Sequence, residues 1–91
     1  MSLGTEEEQQ AAKQAAKQER REAIQLLMEM RAKYPVGTEF TMLGVSMVVD
    51  YMYLEAGLFV KVNALYYNCV TGNISGTSVS LAMFESCDPE I

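Results

Sequence analysis

The sequence contains no histidine and no tryptophan. Without histidine, a Ser-His-Asp triad or a Cys-His dyad of the usual form cannot be built, and the commonest metal ligand is missing. The two cysteines, Cys69 and Cys87, are not spaced as a zinc pair, and we expect both to be free thiols. We therefore predict that the chain is not an enzyme and that it holds no metal and no cofactor.

Long apolar runs are also missing. No stretch approaches the roughly 20 apolar residues that a membrane-spanning helix needs. The first residues are acidic and rich in alanine, which is the opposite of a secretion signal. We therefore expect a cytoplasmic protein that makes no contact with a membrane, and we interpret residues 1–5 as disordered or derived from a tag.

Basic residues are scarce in the second part of the chain. Only Lys61 follows Pro35, and it is outnumbered by six acids, so this part carries a net charge of −5. A surface that neutralises phosphates needs clustered lysine and arginine. The C-terminal part is therefore a poor platform for nucleic acid. The six acids are Glu39, Asp50, Glu55, Glu85, Asp88 and Glu90.

What is present at the start is a helix pattern over residues 6–34. Thr5 is suited to cap the helix, and Glu8 stands at the capping-box position. No glycine or proline interrupts the run before Pro35, which disfavours helical geometry at Tyr34. At 1.5 Å per residue the helix would be about 42 Å long. It would overhang a small sheet domain, whose width we expect to be about half of that.

The second half of this helix has a broad apolar stripe. One interpretation is that the helix pairs with a copy of itself or with a partner, since Ala16, Ala23 and Met30 recur every seven residues. The other is that its C-terminal half packs on its own sheet while the N-terminal half is a solvated extension. The residues of the stripe are Ala23, Ile24, Leu27, Met28, Met30 and Tyr34, and Leu26 widens it.

Four or five short antiparallel strands are predicted after the helix. The turn signals are Gly44, residues 55–57 and residues 71–73. The last strand is expected to run from Ile74 to Phe84, with a bulge or bend at Gly76. The predicted fold class is α+β: a long N-terminal helix, a small β-barrel or curled sheet over residues 36–86, and an acidic tail over residues 87–91.

The second and third strands have apolar residues on both faces. With a three-residue turn at residues 55–57, Leu54 would lie opposite Leu58, and Asp50 would face Val62. One apolar face can fill a small barrel, whereas the other needs cover from a helix or another subunit. A buried Asp50 would have a raised pKa, although a solvated aspartate that guards the sheet edge is the alternative. Tyr51 and Tyr53 suit either an interface or the rim of the core.

The spacing of turns over residues 36–84 resembles that of small SH3-like barrels. The residues that carry the resemblance are Gly37, Phe40 and Gly44, a run at Met47–Val49, and Thr71–Gly76 before the last strand. The build as a whole also looks like small accessory proteins of phages and prophages. SH3-like barrels bind peptides or nucleic acids, or serve as assembly pieces, so the resemblance by itself implies no particular function.

These patterns predict a non-enzymatic protein interaction or assembly module that acts as a homo-oligomer, with a dimer as the expected state. The alternative is a nucleic-acid accessory factor that uses the basic cluster of the helix. The predicted interface residues are Ile24, Leu27, Met28, Met30, Tyr34, Tyr51 and Tyr53. The basic cluster of the alternative is Lys13, Lys17, Arg20 and Arg21.

Overall fold

A computed structural model describes the backbone of residues 6–90 and the side chains of residues 13–90. It confirms the α+β class, with one long helix followed by antiparallel strands. The predicted helix end at residue 34 is one residue too late, and the predicted cap at Thr5 lies outside the described residues. The elements are α1 (Glu6–Lys33), β1 (Glu39–Met42), β2 (Val45–Glu55), β3 (Phe59–Asn68), β4 (Asn73–Ser80) and α2 (Leu81–Ser86).

The four strands form one antiparallel sheet in the order β1-β2-β3-β4. Within the described part of the chain β1 does not pair with β4, so the sheet is open. Near the C-terminus, the backbone of Glu90 exchanges two hydrogen bonds with that of Glu39, at 2.8 Å each. This short bridge covers the outer edge of β1 at one position and ties down part of the predicted acidic tail.

The hairpin between β2 and β3 turns one residue later than predicted. Ala56 and Gly57 both have positive φ, and Leu58 N–H donates to the Glu55 carbonyl, as in a type I′ turn. Leu54 therefore pairs with Val60 and not with Leu58. The predicted register next to this turn is wrong by two residues, which keeps the faces of the sheet unchanged there.

A β-bulge at Asp50 changes the faces further along β2. The register shifts between Val49 and Tyr51, so the buried residues are Met52 on one side of the bulge and Val49 on the other. Such an extra residue reverses the alternation of side chains beyond it. The predicted position of Asp50 opposite Val62 is wrong, because Val62 pairs with Met52 and Asp50 lies in the bulge. Its carboxylate instead accepts a hydrogen bond from Asn63 Nδ2 at 3.1 Å.

The last predicted strand is too long. β4 ends at Ser80, whose hydroxyl accepts a hydrogen bond from Met83 N–H and caps α2. Phe84, which was expected in an extended strand, lies in this helix and is fully buried. β4 pairs with β3 without interruption through Gly76, so the bulge predicted there is also wrong.

The core lies on one side of the sheet, here named the inner face. Helix α2 and the second half of α1 pack on this face, with Phe84 and Leu27 inserted among buried strand residues. The Phe84 ring makes edge contacts with the rings of Tyr34 and Phe40, each at a centroid distance of 5.0 Å. The buried strand residues are Phe40, Met47, Val49, Met52, Val60, Val62, Ala64 and Val79.

The other side of the sheet, the outer face, has no described element over it. Its strand residues include Tyr53, Leu65 and Asn63, which are half-buried, and Tyr51 and Tyr67, which are exposed. The Tyr53 and Ser78 hydroxyls are hydrogen-bonded at 2.6 Å. The outer face is therefore mixed in character, with aromatic rings set among polar groups, and is less apolar than the sequence pattern indicates.

Helix α1 extends well beyond the sheet. The side chains of residues 13–22 are all exposed, and burial begins only at Ala23. The radius of gyration is 18.0 Å, compared with about 12 Å for a compact chain of this length. The predicted overhang is therefore present. Neither α1 nor α2 is long and apolar enough to cross a bilayer.

The β1–β2 turn yields a test of backbone strain. Leu43 has φ of 52°, a conformation that costs a non-glycine residue about 1–2 kcal/mol, and its side chain is 94% exposed. Because asparagine is favoured before glycine in a type I′ turn, Leu43→Asn should raise the free energy of unfolding by about 0.5–1 kcal/mol. Urea denaturation measures the change. Leu43→Val, which is β-branched, should lower stability, and equal stabilities for the two variants would contradict the strain.

Candidate interaction surface

The described side chains of α1 separate into stripes of different chemistry. Residues spaced by three and four lie on one side of a helix. One stripe, here named the acidic stripe, consists of Glu19, Glu22, Leu26 and Glu29. Within it Gln18 donates to Glu22, and Gln25 donates to Glu29, which holds these carboxylates along the flank of the helix.

The opposite flank of α1 carries a basic stripe. Its positive residues occupy the part of the helix that overhangs the sheet, and two exposed apolar residues continue the line toward the sheet. Ile24 is 49% exposed and Met28 is 64% exposed. The basic cluster predicted from the sequence thus lies on the opposite side of the helix from Glu19 and Glu22, although acidic and basic residues alternate along the sequence. The stripe consists of Lys13, Lys17, Arg20, Arg21, Ile24 and Met28.

The acidic stripe borders an apolar groove. Leu26 of α1, together with Leu58 and Phe59 of the β2–β3 hairpin, lines two adjoining depressions of about 430 and 480 Å³. Glu19 and Glu22 line the first, and Leu81 and Ala82 of α2 line the second. Phe59 is 60% exposed at the junction of the two. The groove is thus an open apolar strip with carboxylates along one rim, and Lys61, which is ion-paired with Glu55 at 3.5 Å, lines its second depression.

The flank of α1 opposite the groove meets the unpaired edge of β2. β1 pairs with β2 only as far as Val48, and Gly37 and Thr38 bond the backbone of Val49. Beyond that point, Arg31 Nη2 donates to the Met52 carbonyl at 2.8 Å. This hydrogen bond fixes the rotation of α1 relative to the sheet, and therefore the directions in which both stripes face.

The structure divides the predicted interface residues into three groups. Leu27, Met30 and Tyr34 face their own sheet, as in the interpretation that the C-terminal half packs internally. Ile24 and Met28 are exposed on the basic stripe, and Tyr51 and Tyr53 lie on the strands, with their ring centroids 5.8 Å apart. The seven residues therefore do not form one surface.

The carboxylates near the C-terminus gather in a third depression. Glu39, Asp88 and Glu90 line a space of about 340 Å³ beside Cys87. In the described part of the chain, no group of three or more histidine, cysteine or carboxylate side chains has the geometry to hold a metal ion. The structure carries no observation that assigns chemistry to this cluster.

The groove is what the sequence reasoning missed. In the sequence pattern Leu26 only widens an apolar stripe, and Leu58 is expected opposite Leu54 with no predicted contact to the helix. The acidic stripe can be derived from the spacing of Glu19, Glu22 and Leu26. This stripe lies beside the hairpin only because of how α1 is oriented on the sheet. The spacing of residues in α1 does not show which strand ends lie next to the stripe.

No protein-family model matches this chain, and neither curated proteins nor solved structures yield a significant match. Function must therefore be inferred from the groove and the two stripes of α1.

The contact between Arg31 and the β2 edge can be tested by substitution. Arg31→Met keeps much of the length of the side chain but removes the donor to the Met52 carbonyl, so the free energy of unfolding should fall by about 1 kcal/mol. Urea denaturation measures this loss. Lys33→Met is the matched control, because Lys33 is exposed on the same helix and lies outside both stripes and the groove, and it should change stability by about 0.5 kcal/mol or less. An equal loss in both variants would contradict a specific role for Arg31.

Proposed function

We propose that this chain is a non-enzymatic protein interaction or assembly module that acts as a homo-oligomer. The observation that carries the proposal is the groove, in which Leu26, Leu58 and Phe59 remain exposed although the sheet's own inner face is well covered. An exposed apolar strip with a polar rim is typical of a protein–protein contact.

The exposed half of α1 supports the same function. A helix in a protein gains most of its stability from packing an apolar face, and residues 13–22 bury nothing against their own sheet. Contact with another subunit would provide that packing. A specific interface buries about 800 Å² on each partner, and the groove and one flank of α1 are the surfaces that we expect to supply it.

The non-enzymatic part of the proposal rests on the polar side chains. The Asp50 carboxylate accepts a hydrogen bond from Asn63, and the Tyr53 hydroxyl is hydrogen-bonded to the Ser78 hydroxyl. The sequence has no histidine to activate a nucleophile. Both groups thus take part in hydrogen bonds within the sheet, which favours a structural role for them.

Three finer parts of the proposal come from the sequence. The turn spacing over residues 36–84 favours a relationship to SH3-like barrels, and the build as a whole resembles accessory proteins of phages and prophages. A cytoplasmic location is the third part. Each of these stays a prediction.

The groove supplies a test of the proposal. Light scattering after size-exclusion chromatography should show a mass above that of the monomer at micromolar concentration. Phe59→Asn removes an exposed aromatic residue from the groove and should weaken association about tenfold or more, because such residues dominate interface energies.

Val70→Asn is the matched control, since Val70 is 91% exposed and lies outside the groove. It should associate as the unsubstituted chain does. A monomer at all concentrations, or equal association of the two variants, would contradict the role of the groove.

A second candidate is a nucleic-acid accessory factor. The observation that favours it is the separation of Lys13, Lys17, Arg20 and Arg21 from Glu19 and Glu22 on α1, which leaves a positive flank. Four phosphate contacts would make binding fall steeply with salt. A salt-sensitive mobility shift with DNA or RNA that Arg20→Glu/Arg21→Glu removes would support this function, and the lack of any shift at low salt would oppose it.

A further inference from the structure

We infer that the basic stripe of one copy docks into the groove of the next copy, so that the chains assemble head to tail. This inference rests on the proposed homo-oligomer and specifies its contact. The two surfaces lie on opposite flanks of α1 and carry complementary charge, with Lys17 and Arg21 on one and Glu19 and Glu22 on the other.

The apolar parts of the two surfaces also match. On the basic stripe, Ile24 and Met28 form an exposed ridge next to the charged residues. In the groove, Leu26, Leu58 and Phe59 form an exposed apolar floor. A ridge of two aliphatic side chains fits an open strip lined by leucine and phenylalanine, and its burial would add hydrophobic stabilisation to the charge pairs.

The order of features along the helix determines the relative orientation of the copies. On both flanks charged residues precede the first apolar one: Lys17 and Arg21 precede Ile24, and Glu19 and Glu22 precede Leu26. On the acidic flank Glu29 follows one turn beyond Leu26. Two α1 helices that lie side by side in parallel, with little axial shift, therefore place base against acid and apolar against apolar. An antiparallel pair would place charges against the apolar ridge.

A symmetric contact between identical flanks is disfavoured by charge. Two basic stripes would bring Lys17 and Arg21 against their own copies, and two acidic stripes would do the same with Glu19 and Glu22. Like charges placed opposite each other oppose association. The contact must then be heterologous, and since each copy has one ridge and one groove, the product is a ring or an open chain larger than a dimer.

Charge exchange tests this contact. Lys17→Glu/Arg21→Glu makes both flanks of α1 acidic, and Glu19→Lys/Glu22→Lys makes both flanks basic. All four side chains are exposed, so both variants should fold, which circular dichroism checks. Each variant alone should associate at least about tenfold more weakly than the unsubstituted chain. A one-to-one mixture should recover the large assembly, because every contact again joins opposite charges, and added salt should weaken it.

Glu39→Lys/Glu90→Lys is the control for net charge. It changes the charge by the same amount as Glu19→Lys/Glu22→Lys, at exposed residues near the C-terminus. This control should assemble as the unsubstituted chain does. Mixing it with Lys17→Glu/Arg21→Glu should not restore that variant to the large assembly. Ile24→Ser/Met28→Ser tests the ridge without a change of charge and should weaken assembly as well.

The outcomes separate the inference from the function on which it rests. If the unsubstituted chain is monomeric at all concentrations, both are wrong. If it assembles but the exchanged variants keep its mass, or their mixture fails to recover, the head-to-tail contact is wrong and the homo-oligomer stands. A closed dimer would also overturn the contact. Loss of nucleic-acid binding in Lys17→Glu/Arg21→Glu, with unchanged assembly, would assign the basic stripe to nucleic acid.

Discussion

The packing of Phe84 is the contact on which the arrangement of this molecule depends. Its ring meets Tyr34 just after α1 and Phe40 in β1, so one side chain from α2 joins the C-terminal part of the chain to the junction between α1 and β1. Edge contacts between aromatic rings add to the energy of burial. This contact holds both helices on one side of the sheet and leaves the outer face without a helical cover.

The bulge at Asp50 is a second constraint, because it decides which residues of β2 belong to the core. Met52 and Val49 both point inward only because one extra residue separates the two parts of the strand. Without it, one half of β2 would present its apolar residues to solvent. Asn63 binds the carboxylate of Asp50 and so satisfies the polar group that the bulge introduces.

The position of α1 on the sheet leaves two of its flanks exposed, the acidic stripe and the basic stripe. Its second half is anchored by Leu27 on the sheet and by the hydrogen bond from Arg31 to the β2 edge. This anchorage leaves the basic stripe facing away from the hairpin and brings Leu26 beside Leu58 and Phe59. An apolar surface and a complementary one on opposite flanks are what a repeating contact between copies requires.

The elements that depend on local chemistry could be predicted from the order of residues alone. The helix is uninterrupted until Pro35, and the turn at Gly44 ends the first strand, so periodicity and turn residues were sufficient. The groupings of charge on α1 follow from residue spacing in the same way. The positions of Phe84 in a helix and of Asp50 in a bulge depend on packing between elements. A short amphipathic run is compatible with a strand or a helix, and a bulge cannot be recognised in an alternating pattern. The groove was likewise beyond the sequence, because Leu26 and Phe59 are brought together by packing between elements, and no local preference encodes that distance.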